Sequence, residues 1–122
     1  MSKSSAKESD LEKELAAACR GLVYISETDS TVEPFFVKKP QIPKGEEIIF
    51  DRFFERLTAK RDWHTVAESE NAEGFAKLQS VLETELKDLH VYKIGKVQLE
   101  IVVVGRDKKG EFAGVRMKAV ET

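Results

Sequence analysis

Three short stretches of this chain carry oxygen donors or an aromatic ring that a fold alone does not require. Glu27 stands in the polar run Ser26-Glu27-Thr28-Asp29-Ser30, directly after the apolar segment Leu22-Val23-Tyr24-Ile25. Asp62-Trp63 places the single tryptophan inside the polar stretch from Thr58 to Ser69. Tryptophan is usually a core residue, but an exposed one is a typical anchor of a protein interface. Glu121-Thr122 closes the chain and gathers a carboxylate, a hydroxyl and the α-carboxylate after a strand-like segment. Hard oxygen donors of this kind suit Mg²⁺ or Ca²⁺. Taken alone, these last residues read first as a solvated chain end.

Catalytic chemistry is harder to place. His64, His90 and Cys19 are too few for an ordinary zinc site. The Gly-rich phosphate loop, C-x-x-C, H-E-x-x-H and G-x-S-x-G patterns are all missing. A nucleophilic thiol needs a base beside it. Cys19 follows Ala16-Ala17-Ala18 on a helical pattern and reads as a small buried residue. Carboxylate pairs occur in any chain this charged, so no acid/base couple stands out. These residues point to a binding protein and not an enzyme, with no cofactor and no metal of its own.

The elements that must position these stretches follow from composition and period. The 122 residues suit one domain, with residues 1 to 8 as a flexible tail and 9 to 122 as the domain. With 41% hydrophobic and 34% charged residues, the chain reads as a folded, soluble, acidic protein. The net charge of −2 lacks the basic footprint of general nucleic-acid binding. No apolar run is long enough to span a bilayer. No secretory signal opens the chain, so a cytoplasmic address and a monomeric free state are expected. From Ala67 to Asp88 six acids (Glu68, Glu70, Glu73, Glu83, Glu85, Asp88) face two lysines (Lys77, Lys87). That run is either a solvated helix face or a surface complementary to a basic partner.

Ser9 and Glu12 have capping-box spacing, and Leu11, Leu15, Ala18 and Cys19 recur at helical period, predicting a helix from about Asp10 to Arg20. Leu22 to Ile25 and Phe35 to Val37 read as short strands, and residues 38 to 46 as a loop broken by Pro40 and Pro43. Ile49, Phe50, Phe53, Phe54 and Leu57 form the apolar stripe of a helix over about 48–57. Asn71 is a candidate N-cap for a longer helix to about Asp88. His90 to Gly95, Val97 to Gly105 and Glu111 to Val120 read as three strands, with a hairpin at 106–110. On the middle strand both faces carry apolar residues, which predicts cover on both faces. The expected fold is an α-β-α sandwich of α/β (α+β) class with a mainly antiparallel sheet.

A series of short matches then carries a family resemblance. F-D-R-F-F-E-R at Phe50 to Arg56, D-W at Asp62-Trp63 and S-E-N-A at Ser69 to Ala72 are similar to the nuclease A inhibitor family. So are V-Y-K-I-G-K-V-Q-L-E at Val91 to Glu100, V-V-G at Val103 to Gly105, and the ending A-G-V-R-M-K-A-V-E-T. G-L-V-Y-I-S-E at Gly21 to Glu27 adds a match near the front. The tail and residues 38 to 47 fall outside it, and that middle segment is shorter than the family pattern. The resemblance implies the same sandwich fold. It also implies a partner: a sugar-non-specific, metal-dependent DNA/RNA endonuclease, blocked when the C-terminal threonine reaches its catalytic metal. The roles fall on Glu27, Asp62, Trp63, Glu121 and Thr122. Lys60 and Arg61 make the context of Asp62 more basic than the resemblance leads one to expect. A non-catalytic module on the same fold with a non-nuclease partner is the alternative, and a hydrolase is a third reading.

Overall fold

The computed structural model describes residues 3–26, 28–37, 45–59 and 62–120. Helix α1 (Lys3–Cys19) leads into a small hairpin, β1 (Val23–Ile25) and β2 (Asp29–Thr31). Strand β3 (Glu33–Val37) follows, then β4 (Glu46–Ile48), α2 (Phe50–Thr58) and α3 (Val66–Glu85). The chain finishes in a meander of three long strands, β5 (Lys87–Gly95), β6 (Gln98–Arg106) and β7 (Phe112–Val120). These five larger-sheet strands stand in the order β3-β7-β6-β5-β4, every pair antiparallel.

The meander is set by its turns. Gly95 closes β5 with φ +108, and Gly110 takes φ +81 in the β6–β7 turn, conformations that side chains with a β-carbon rarely adopt. Within that turn the Asp107 carboxylate accepts the N–H groups of Lys109 and Glu111, both at 2.9 Å. The turn is therefore closed by its own side chain. Gly114 is required for a different reason: a β-carbon there would run into the Val103 carbonyl of the neighbouring strand. Pro34 is tolerated because β3 is an edge strand, where one missing N–H need not break a ladder.

Alternation along the strands builds the core. Val91, Leu99, Ile101, Val103, Ala113, Val115, Met117 and Ala119 share one face and are buried. Leu15 and Cys19 of α1, Phe53 and Phe54 of α2, and Phe75, Leu78 and Leu82 of α3 pack onto that face as one cluster. Phe53 and Phe54 meet edge-to-face at 5.3 Å, a favoured aromatic geometry.

The α/β class and the mainly antiparallel sheet are as expected. Among the described residues α1, α2 and α3 all contribute to the cluster on the core face. On the opposite face Val104 is buried and Val102 half-buried, so that face is covered there too. Long side chains do part of that work, as where the Arg106 guanidinium lies 5.2 Å from the Phe112 ring centre.

Element boundaries move where local signals compete. Helix α1 begins at Lys3, so Ser9 lies inside it and not at its start. Helix α3 begins at Val66, because Thr65 and Glu68 form a capping box ahead of Asn71, the cap expected from the sequence. The short strands β2 and β4 lie where the sequence reads as turn and loop. Each has only three residues, too few for a period to show. Strand β5 starts before His90, through a bulge at which Asp88 takes φ 53.

Candidate partner-binding site

Consider the end of the sheet where β7 finishes. Leu99 of β6 pairs with Gly95 of β5, and Gln98 with Val120 of β7. Alternate N–H groups of an antiparallel strand face alternate neighbours. Along β7, the residues from Phe112 to Arg116 have β3 beside them on the outer side. Past Arg116 that partner runs out. Two serine hydroxyls then take over: Ser30 Oγ accepts the Lys118 N–H at 2.9 Å, and Ser26 Oγ accepts the Val120 N–H at 3.0 Å. The β1–β2 hairpin thereby continues the edge that β3 began.

Ser26 also closes its own turn. Its N–H bonds to the Thr28 carbonyl at 3.2 Å, and its hydroxyl donates to the same carbonyl at 2.9 Å. Residues 26 and 28 are thus tied to each other and to the last described residue of β7.

Helix α3 brings a second stretch to this end. Glu85 and Lys87 are separated by one residue, so α3 and β5 run in opposite directions over the core face. That direction carries the start of α3 back toward the end of the sheet at which β5 finishes. Its 20 residues span about 30 Å, close to the length of a nine-residue strand. Asn71 pins that placement. Its side chain accepts the Val23 N–H at 3.0 Å and donates to the Val23 carbonyl at 2.9 Å. The amide copies what a neighbouring strand would offer β1. Asn71 is therefore a strand mimic inside α3 and not the helix cap that its position suggests. The S-E-N-A and G-L-V-Y-I-S-E segments meet at this pair of bonds.

The Asp62-Trp63 turn immediately precedes α3. Asp62 is exposed, and Trp63 keeps 75% of its surface open, with its ring edge-on to His64 at 6.2 Å. Val66 (76%), Ile25 (59%) and Val97 (53%) are other open apolar side chains of the α3 start, β1 and the β5–β6 turn. Exposed acids of the first turns of α3, Glu68 and Glu70, stand close by in the chain, and Lys96 adds a positive charge in the β5–β6 turn. Backbone and then side-chain bonding by Thr65 hold the Glu68 carboxyl below its ordinary range. An apolar anchor bordered by acids is the composition of a protein interface facing a basic partner.

The family model for nuclease A inhibitor-like protein matches residues 39–122. The chain belongs to this family. The match covers Asp62, Trp63, Glu121 and Thr122 and stops short of Glu27. No curated protein matches the chain.

As a nuclease A inhibitor-like protein, the chain can be compared with its sequence-derived site. Asp62 and Trp63 are exposed, in the turn that precedes α3. Glu27, Glu121 and Thr122 lie outside the described residues, as do Lys60 and Arg61. Ser26 and Thr28, which flank Glu27, and Val120, which precedes Glu121, are joined through the Ser26 hydroxyl. The bonds by which Ser26, Ser30 and Asn71 join distant segments were not read from the sequence. A serine in a turn carries no signal for a strand that returns some 90 residues later in the chain. Cys19 is buried, and burial pushes its thiol up to about 12, so it is not a nucleophile at neutral pH. Among the described residues no group of three or more His, Cys, Asp or Glu could hold a metal ion. No helix among them is long and apolar enough to cross a membrane.

Proposed function

We propose that this family member is a stoichiometric protein inhibitor that occupies the active-site cleft of a metal-dependent, sugar-non-specific nuclease. Membership of the nuclease A inhibitor-like family supports an inhibitor role in general. The observation that carries the finer reading is convergence. The Ser26–Thr28 turn is bonded to the last described residue of β7, and α3, which follows the Asp62-Trp63 turn, is bonded through Asn71 to Val23 of the same hairpin. In this reading Trp63 supplies the buried apolar area of the complex. Glu27, Asp62 and Glu121 pair with the cations that line a phosphate-binding cleft. An oxygen of Thr122 reaches the catalytic metal and takes the place of the water or phosphate oxygen that hydrolysis needs. The protein acts by occupancy, as a monomer in the free state, and holds no metal itself.

The test is inhibition of such a nuclease by the full chain and by a chain ending at Val120. The full chain should inhibit near one-to-one stoichiometry. The shortened chain should keep its melting temperature and lose inhibition by at least about a hundredfold, since a metal contact and its neighbours vanish together. Undiminished inhibition by the shortened chain would sink the metal-contact mechanism.

One feature favours a second reading, an interaction module on this fold with a different partner. Lys60 and Arg61 precede Asp62. By analogy with a surface pair, a positive charge there would oppose a basic cleft by roughly 0.5–1 kcal/mol. Stronger inhibition after Lys60→Ala and Arg61→Ala favours the nuclease; weaker binding of a captured partner favours the module.

A further inference from the structure

The hydroxyl of Ser26 uses its whole bonding capacity. A serine hydroxyl offers one donor and two acceptor positions. Here the O–H donates to the Thr28 carbonyl at 2.9 Å. The two lone pairs accept the Val120 N–H at 3.0 Å and, more loosely, the Thr28 N–H at 3.4 Å. One small side chain therefore joins two segments that are separated by 94 positions in the chain. Ser30 makes the analogous strand bond at Lys118 but closes no turn around residue 27. Val120 is the last described residue of an edge that has lost its β3 partner, so its N–H has no other neighbour on that side among the described residues. On its outer side the strand end is held there by this bond, and an edge that loses such a bond opens more readily.

We propose that Ser26 is a positioning residue: its hydroxyl locks the β1–β2 turn and the end of β7 into one rigid unit, so that the groups on either piece meet a partner together. The role rests on the inhibitor function proposed above. It goes further in assigning pre-organisation, and not contact, to a residue outside the proposed contact set. Fixing two binding segments relative to one another removes an ordering cost that the complex would otherwise carry.

Ser26→Ala, Ser26→Thr and Ser30→Ala test the assignment in the full chain. Two readouts are needed: amide hydrogen exchange at Val120 and Lys118, and inhibition of a metal-dependent, sugar-non-specific nuclease. Ser26→Ala should speed exchange at Val120 about tenfold while Lys118 changes little, because one bond of ordinary strength is lost. The same variant should need about five to ten times more protein for half-inhibition. Ser26→Thr keeps the hydroxyl and should restore both values. Ser30→Ala should speed exchange at Lys118 and leave inhibition within about twofold, which separates positioning from general loosening of the edge. Equal losses of inhibition in Ser30→Ala and Ser26→Ala would overturn the positioning role. So would unchanged Val120 exchange in Ser26→Ala, whatever the nuclease does. A wild-type chain that fails to inhibit, with the Val120 result as expected, would instead refute the function proposed above.

Discussion

Trp63 combines a large ring with an open position at the start of α3, and the two facts pull its mutational cost apart. A side chain with three-quarters of its surface in water adds little to folding. The same ring becomes the largest apolar area available when a partner covers it. Trp63→Ala should therefore leave the melting temperature within about 2 °C of wild type and weaken inhibition by about thirtyfold or more. Calorimetry and a nuclease titration on the same samples would check both halves. A large loss of stability with inhibition intact would place the ring in the core of the fold. Asn71 behaves in the opposite way. Its two bonds to Val23 join α3 to β1, so its removal is felt by the fold.

Among the elements, α3 does most to place the site, and its first turn is built for the task. The Thr65 hydroxyl accepts the Glu68 N–H at 3.1 Å, and the Glu68 carboxylate accepts the Thr65 N–H at 3.0 Å. Thr65→Ala should cost about 1 kcal/mol of stability, the usual value of an N-cap. The Glu68 partner adds a pH signature. Its pKa is lower folded than unfolded, so its contribution is present above the ordinary glutamate range. It is lost as pH falls through the depressed folded value. Thermal melts of wild type and Glu68→Gln should differ at neutral pH and converge in acid. A gap that persists unchanged well below the ordinary glutamate range would show that the carboxylate charge is not what the cap uses.

At the scale of the whole molecule, charge decides how fast a partner is met. The net charge is only −2, but acids occupy the first turns of α3 beside the open apolar side chains. If these face a basic cleft, the field steers the encounter, and salt screens it. Raising salt from about 0.05 M to about 0.5 M should slow association about tenfold and alter dissociation far less. Stopped-flow mixing with the nuclease measures both rates. Association insensitive to salt would remove the electrostatic part of the proposed mechanism.

Much of this fold can be read in one dimension. The alternation of Leu99, Ile101 and Val103 specifies a strand with one fully buried face, and the stripe through Phe53, Phe54 and Leu57 specifies a helix. The period is local, and burial on one side is enough to enforce it. The exposure of Trp63 was left open by the sequence: its polar surroundings allow it, but a lone tryptophan is more often buried. Other features are not local. Three-residue strands such as β2 and β4 have no period of their own and exist because a longer strand offers them a ladder. Asn71 has the composition of a cap, yet a strand passing beside the helix claims its amide first. Ser26 meets Val120 only because β3 begins at Glu33, opposite Arg116, and leaves the edge of β7 beyond it without a strand. The sequence by itself determined the α/β class, the core and which residues have the chemistry of an interface. Only the tertiary structure decided that the Ser26–Thr28 turn is tied to the end of β7 and that Asn71 of α3 is tied to β1. Hydrogen bonds between segments that far apart depend on how the whole sheet is ordered, and no window of the chain contains that order.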